Sequence, residues 1–203
     1  MSLQCGIVGL PNVGKSTLFN ALTKSNAPAE NFPFCTIDPH VGIVSLPDSR
    51  LEKLNNIYNS EKTTPATVEF IDIAGLVKGA NKGEGLGNQF LGQIRQTSAI
   101  IHVIRCFDDS NITHVNNTIN PLRDAEIIET ELLLADLQTL EKKYEKTKRL
   151  AKNNEKKISF ELNLIEKLIH CCSDGLSVNT LNLEHKEEKL IKTFHSLTSK
   201  PIL

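Results

Sequence analysis

The sequence predicts an α/β fold with a mainly parallel sheet and an inserted antiparallel helical arm of the coiled-coil type. Short apolar runs rich in β-branched residues predict strands over residues 5–8, 68–73 and 99–104. Helical patterns over 16–24 and 87–97 separate these strands. Alternation of strands with helices favours a parallel sheet that helices cover. The second half of the chain changes to a long helical period, which predicts the arm.

The first predicted strand continues directly into a glycine-rich loop, in which residues 9–16 read Gly-Leu-Pro-Asn-Val-Gly-Lys-Ser. This spacing is typical of P-loop nucleotidases, because glycine lets the backbone approach a phosphate and the following helix offers unpaired N–H groups. Lys15 would reach the β- and γ-phosphates, and the Ser16 hydroxyl would ligate Mg²⁺. The predicted nucleotide-binding residues of this loop are Asn12, Val13, Gly14, Lys15, Ser16 and Thr17.

A second motif, Asp72-Ile-Ala-Gly75, lies at the end of the second predicted strand. A P-loop protein needs a carboxylate there for the Mg²⁺ sphere and a glycine whose N–H senses the γ-phosphate. Between the two motifs lies a polar loop over 31–39, from which Thr36 would close over the ion, and a further strand is predicted over 41–46. The predicted metal ligands are therefore Ser16, Thr36 and Asp72, and Gly75 joins the nucleotide-binding residues.

Leu76 occupies the position at which Ras-like enzymes carry the glutamine that orients the attacking water. Leucine has no polar atom for that hydrogen bond, so hydrolysis needs another group and we expect slow intrinsic turnover. The glycine-dense stretch 79–87 predicts a mobile loop that reorganises with the nucleotide state.

The helical arm is predicted from two apolar stripes of helical period, separated by the polar break 152–157. Because the break is short, the helices should be antiparallel neighbours. Two interpretations remain open, an arm that docks a partner and a helical subdomain that only packs on the core. The stripes consist of Leu133, Leu137, Leu140, Tyr144, Thr147 and Ala151, then of Ile158, Leu162, Ile165, Leu168 and Ile169.

These patterns divide the chain into three parts. Residues 1–123 form the first part of a nucleotide-binding domain, and 124–183 form the inserted arm. Residues 184–203 return to the domain through a helix predicted over 184–199 and the beginning of another strand over 200–203.

Composition excludes several classes of protein. A net charge of -1 over 203 residues gives no general attraction to nucleic acid or to membranes, so neither direct DNA binding nor membrane association is expected. The sequence has no apolar run of about 18 residues and no secretory signal pattern at its start, which predicts a cytoplasmic location. Its 5 cysteines lack Cys-x-x-Cys spacing and are interpreted as reduced thiols.

The motifs at 9–22, 31–39 and 72–80 together resemble the YchF proteins, the Obg-like ATPase family, and the resemblance continues through 83–91, 102–107 and 130–137, so that it covers essentially the whole chain. It implies a P-loop ATPase that binds the ribosome, at its large subunit, and acts as a Mg²⁺-dependent molecular switch.

The same resemblance implies further site residues. His114 matches a histidine that the family is thought to use in hydrolysis, in the role that Leu76 cannot fill. From the residues alone, a solvated loop histidine is an equally good interpretation. An asparagine at the position of Asn12 helps related P-loop enzymes to hold K⁺ near the phosphates, so K⁺ is a second candidate cofactor.

Family members continue past 200–203 into an Asn-x-x-Glu motif that reads the base and into a small TGS domain, which this sequence does not contain. The expectation is a C-terminally truncated member with impaired hydrolysis. The residues present do not decide between ATP and GTP. Two alternatives therefore stay open, a GTP-specific Obg-like factor in ribosome assembly and a truncated binding module that hydrolyses nothing.

Overall fold

A four-stranded sheet lies at the centre of the computed structural model, which describes residues 3–24, 41–73, 75, 79, 86–150 and 156–203. The strand order is β2-β3-β1-β4. Strand β1 pairs in parallel with both β3 and β4, whereas β2 pairs antiparallel with β3. The predicted mainly parallel sheet is confirmed. The strands are β1 (Leu3–Val8), β2 (Val41–Ser45), β3 (Thr67–Asp72) and β4 (Ala99–His102).

Helices connect and cover these strands. The helices predicted over 16–24 and 87–97 are confirmed to within one residue at each end. No helix within the described ranges is both long and apolar enough to cross a lipid bilayer. The helices are α1 (Lys15–Lys24), α2 (Ser49–Tyr58), α3 (Leu86–Gln96), α4 (Pro121–Leu150), α5 (Lys156–Ser173) and α6 (His185–Ile191).

Helix α2 was not anticipated from the sequence. None of its residues, all of which the structure describes, is buried, so the helix contributes no residue to the core. Its start is marked instead by Asp48, whose side chain accepts a hydrogen bond from the backbone N–H of Arg50. A side-chain cap of this kind satisfies a donor that the helix leaves unpaired.

The core of the sheet lies against α3 and the first half of α4. Ile7, Ile94 and Ile100 are fully buried, as the apolar strand runs predict for a sheet covered by helices. Ile128 and Leu132 of α4 join the same cluster. This packing fixes the ends of β1 and β3 side by side, and both functional motifs follow directly from those strand ends.

Helices α4 and α5 pack side by side around a second apolar cluster that includes Leu140, Ile165 and Leu168. Polar contacts on the flank support the pairing, since Lys143 Nζ lies 3.0 Å from Glu161 Oε1 and Tyr144 donates a hydrogen bond to the Glu166 carboxylate. Helix α4 begins at Pro121 rather than at residue 124 as the domain boundary implied, because proline is well suited to the first position of a helix. Of the break predicted over 152–157, residues 156–157 belong to α5, and 151–155 lie outside the described residues.

The helix predicted over 184–199 is wrong from residue 192 onward. Helix α6 ends at Ile191, a short 3-10 turn follows, and His195 adopts a left-handed backbone with φ 53°. The segment after His195 is held instead by the buried carboxylate of Asp136 in α4. Asp136 accepts hydrogen bonds from Ser196 Oγ (2.5 Å), Leu197 N (2.8 Å), Thr198 N (2.8 Å) and Thr198 Oγ1 (2.8 Å).

At 200–203, where the sequence predicts the beginning of a strand, the structure has a single isolated β-bridge beside β4. Ile202 pairs in parallel with Ile100, so the segment extends the sheet beyond β4. Lys200 closes the C-terminus of α3, because its ammonium donates to the carbonyls of Ile94, Arg95 and Thr97. Burial lowers the pKa of Lys200 to about 8.

Candidate phosphate-binding site

The loop between β1 and α1 has the backbone that its glycines predict. Gly14 has φ 102° and Asn12 has φ 61°, values in the left-handed region that favours glycine and asparagine. Helix α1 begins at Lys15, so its first N–H groups have no carbonyl partner within the helix. Such a loop and helix start together form a binding place for anions.

Gly9 is required by a close backbone contact. A Cβ atom at Gly9 would lie 2.4 Å from the carbonyl oxygen of Val103. That oxygen belongs to a segment fixed to β1, since Val103 N donates to Val8 O at 2.8 Å. We expect Gly9→Ala to lower the free energy of unfolding by about 2–4 kcal/mol, because the backbone must move to relieve the clash.

Gly92→Ala is the matched control for urea unfolding of Gly9→Ala. Gly92 lies inside α3, and a Cβ there would meet no atom of the described residues within 4 Å. Alanine should stabilise the helix by about 0.5–1 kcal/mol, because glycine loses more backbone entropy on folding. Equal stabilities for the two variants would contradict the close contact at Gly9.

Asp72 and Ser16 meet at the edge of a cavity of about 410 Å³. The parallel register places Ile7 opposite Asp72, so the end of β3 lies beside the phosphate loop. Ser16 Oγ donates to Asp72 Oδ2 at 2.7 Å. Asp72 Oδ1 is buried and has no hydrogen-bond partner among the described atoms. A buried carboxylate oxygen beside a hydroxyl fits a hard cation such as Mg²⁺, which prefers oxygen ligands.

Lys15 lies across the loop and is 7% exposed. Its Nζ donates to the carbonyl of Leu10 at 2.8 Å. Burial lowers the pKa of the Lys15 ammonium, while the nearby Asp72 carboxylate acts in the opposite direction. The ammonium therefore has a carbonyl partner that it can exchange for a phosphate oxygen in the adjoining cavity.

Gly75 packs directly on the phosphate loop. A Cβ at Gly75 would lie 2.8 Å from Pro11 N and 3.0 Å from Pro11 Cα, so a larger residue would displace the loop. The structure thus brings Asn12, Lys15, Ser16, Asp72 and Gly75 together around one cavity, and Val13 is buried beneath it while Thr17 is exposed. Thr36 and Leu76 lie outside the described residues. The sequence did not indicate two further lining residues, Phe90 and Gln93 of α3.

His114 lies in a neighbouring cavity of about 570 Å³, bounded by the loop between β4 and α4. The interpretation of His114 as a solvated loop residue is wrong, because its side chain is only 4% exposed. Its Nε2 lies 2.9 Å from Asp124 Oδ2, at ion-pair distance but outside hydrogen-bond alignment. Its Nδ1 accepts a hydrogen bond from Asn116 N at 3.1 Å. A role of His114 in hydrolysis stays a prediction.

A buried arginine shapes the loop that carries His114. Arg105 is 1% exposed, and its guanidinium donates to three backbone carbonyls, those of Phe107 (3.1 Å), Ile112 (3.0 Å) and Asp109 (3.1 Å). The loop is also tied to the phosphate loop, since Asn12 Nδ2 donates to Thr113 O at 3.1 Å. The sequence offered no signal for Arg105 beyond its place directly after an apolar strand run.

The glycine loop between β1 and α1, with Lys15 and the Ser16–Asp72 pair, defines the class of P-loop nucleotide-binding proteins. The sequence model of the 50S ribosome-binding GTPase family matches residues 4–163, and the chain belongs to that family.

Curated relatives agree with the predicted resemblance to YchF proteins, which is confirmed. The chain is 53% identical over all 203 residues to the ribosome-binding ATPase YchF of Bacillus subtilis (strain 168), and 52% identical to that of Escherichia coli O157:H7. The solved structure of the Schizosaccharomyces pombe YchF GTPase superposes with a TM-score of 0.83 at 38% identity, covering 100% of this chain and 55% of the other. The chain spans 56% of the length of each of these two bacterial relatives.

Proposed function

We propose that this chain binds ATP and hydrolyses it in a Mg²⁺-dependent reaction. The observation that carries the proposal is the Ser16–Asp72 pair at the edge of a cavity that Lys15 also lines. The unpartnered Asp72 Oδ1 supports a cation at this point. The choice of ATP is supported by the relatives, which are named ribosome-binding ATPases.

Each residue of the cavity has a role in the proposed reaction. Lys15 leaves the Leu10 carbonyl and donates to the β- and γ-phosphate oxygens, where it stabilises the charge that develops as water attacks the γ-phosphorus. The free N–H groups over 12–17 bind the phosphate oxygens, and the N–H of Gly75 senses the γ-phosphate. Ser16 and Asp72, together with Thr36, would hold Mg²⁺, which when bound would supply neutralisation of the phosphate charge.

We assign the slow step of hydrolysis to the positioning of the water that attacks the γ-phosphorus. Leu76 offers no hydrogen bond for that water, so we propose weak intrinsic turnover with His114 as the assisting group. Asn12 would hold K⁺ beside the phosphates. In the present structure the amide nitrogen Nδ2 of Asn12 donates to Thr113 O, and the amide oxygen Oδ1 would be the ligand for K⁺.

The proposed partner is the large ribosomal subunit, with the protein acting as a switch in the cytoplasm. Support comes from the family description, a 50S ribosome-binding GTPase, and from the names of the relatives. The helical pair α4–α5 is the proposed docking element, inserted between 1–123 and 184–203 of the nucleotide domain. The competing interpretation, a subdomain that only packs on the core, is supported by its apolar contacts with α6.

A GTP-specific switch is the second candidate function. It is supported by the description of the family and by the S. pombe structure, both of which name a GTPase. It shares the phosphate chemistry and differs only in recognition of the base. A module that binds without hydrolysis is the third candidate.

Calorimetric titration of ATP and GTP into the chain separates these candidates. We expect ATP to bind with Mg²⁺ present and to lose about tenfold or more in affinity when EDTA removes the ion, because the Asp72 carboxylate then repels the phosphates. In Asp72→Asn that dependence on Mg²⁺ should shrink, whereas in Asp174→Asn, on the exposed end of α5, it should persist. Stronger binding of GTP than of ATP favours the GTP candidate, equal binding means that residues 1–203 do not select the base, and binding of neither contradicts the proposal.

A further inference from the structure

His114 occupies a closed position in which Nδ1 accepts a hydrogen bond and Nε2 lies at ion-pair distance from a carboxylate. Because Nδ1 accepts the N–H of Asn116, it carries no proton, and the ring proton lies on Nε2, which faces Asp124. In an Asp–His pair that acts on a substrate, one nitrogen faces the carboxylate and the other faces the reacting atom. Here neither nitrogen is free, and His114 is absent from the described residues that line the phosphate cavity.

Asp124 is built to hold the ring in this place. The carboxylate is 3% exposed and lies in the first turn of α4, where the helix dipole favours a negative charge. Its Oδ1 accepts from Arg123 Nε (3.1 Å), Arg123 Nη2 (2.9 Å) and Asn116 Nδ2 (3.4 Å), which leaves Oδ2 facing His114. The contacts on Oδ1 orient the carboxylate independently of the histidine.

The held position is also linked to the phosphate loop. Asn12 Nδ2 donates to the carbonyl of Thr113, the residue directly before His114. Asn12 lines the phosphate cavity, so any bound group that turns its amide removes this tie. The His114 ring is thus connected to the phosphate cavity through the side chain of Asn12 and the peptide unit between Thr113 and His114.

We infer that Asp124 is a latch that keeps His114 away from the phosphate cavity, and that Asn12 is the contact through which nucleotide opens it. The inference rests on the proposed function, because it assigns His114 to hydrolysis. Asp124 is a positioning residue that acts through His114 and limits turnover in the resting state. Nucleotide that displaces the Asn12 amide shifts the population toward a free His114 ring.

Asp124→Asn tests the latch with the least change in shape. The asparagine oxygen can still accept from Arg123 and Asn116, but the charge that faces His114 is lost. We expect kcat for ATP to rise about five- to tenfold with KM unchanged within about twofold, since only the population of free His114 increases. The gain should vanish in the double variant with His114→Ala. Asp174→Asn is the matched control, because it makes the same change at an exposed carboxylate of α5, leaves the ring held and should not raise kcat.

Chemical labelling of histidine gives a readout that does not depend on activity. With diethyl pyrocarbonate and peptide mapping, His114 should be protected in the unliganded wild type and labelled in Asp124→Asn, with the exposed His185 as internal reference. A non-hydrolysable ATP analogue should increase the labelling of His114 in the wild type. In Asn12→Ala, which lacks the hydrogen bond to Thr113, His114 should be labelled to the same extent whether or not the analogue is present. Equal labelling of His114 with and without the analogue in the wild type overturns the role of Asn12.

The outcomes separate the latch from the proposed function. A fall in kcat for Asp124→Asn to the level of His114→Ala overturns the latch and makes the pair a working dyad. Unchanged kcat with unchanged labelling also overturns it. If the wild type hydrolyses no ATP, the proposed function fails, and the labelling of His114 in Asp124→Asn alone then decides whether Asp124 holds the ring.

Discussion

Lys15→Ala should weaken binding of Mg²⁺-ATP at least about 100-fold, because charge-assisted hydrogen bonds to two phosphate groups are lost in a partly dehydrated cavity. The stability of the unliganded chain should change little, since the buried ammonium gives up only its bond to the Leu10 carbonyl. Calorimetry measures the affinity, and thermal unfolding with and without ATP measures the same loss independently.

Lys53→Ala provides the control for this prediction. Lys53 is an exposed lysine of α2, so its removal changes the net charge equally without touching the cavity. Its affinity for ATP should stay within about twofold of the wild type, because exposed charges at a distance are screened. Similar losses in both variants would mean that Lys15 acts through general charge and not by contact.

Asp136→Ala should cost about 3–5 kcal/mol of the free energy of unfolding. The carboxylate accepts four hydrogen bonds from the segment 196–198, and its removal leaves the N–H groups of Leu197 and Thr198 buried without an acceptor. Urea unfolding followed by circular dichroism measures the change. Asp136→Asn should fall between alanine and the wild type, since one acceptor oxygen remains.

Asp174→Ala is the matched control for Asp136→Ala. Asp174 is 55% exposed at the end of α5 and contacts His170 there, so its removal should cost less than about 0.5 kcal/mol. A result in which both alanine variants unfold at the same urea concentration would show that the 196–198 segment contributes nothing to global stability.

The parts of the fold that follow from local pattern could be predicted from the sequence. The strands have short apolar runs, α3 has a strong helical period, and α1 follows a phosphate loop whose residues have a fixed spacing. Helix α2 was not predicted, because none of its residues is buried. The C-terminal end of the last helix was predicted wrongly for a different reason. The carboxylate that binds this segment in place of helical hydrogen bonds belongs to Asp136, which is 60 residues away from Ser196 in sequence.

The same distinction applies to the site. Ser16 and Asp72 were found because each belongs to a motif, and the structure shows them in contact. The surroundings of His114 were not found, because its burial depends on Asp124 in α4 and on a loop that Arg105 folds through backbone carbonyls. Every residue type has a backbone carbonyl, so the carbonyls that Arg105 binds cannot be recognised from the sequence.

Helix α4 gives the molecule a mechanical property. It is one uninterrupted helix of 30 residues, with Asp124 in its first turn, Ile128 in the core of the sheet and Leu140 in the cluster beneath α5. At the rise of an α-helix it is about 45 Å long, so a tilt of one degree about its first turn moves the far end by about 0.8 Å. A small tilt at Asp124 therefore displaces Leu150 much more than it displaces Asp124. Conversely, a force applied near Leu150 exerts a torque on the first turn of α4, where Asp124 lies.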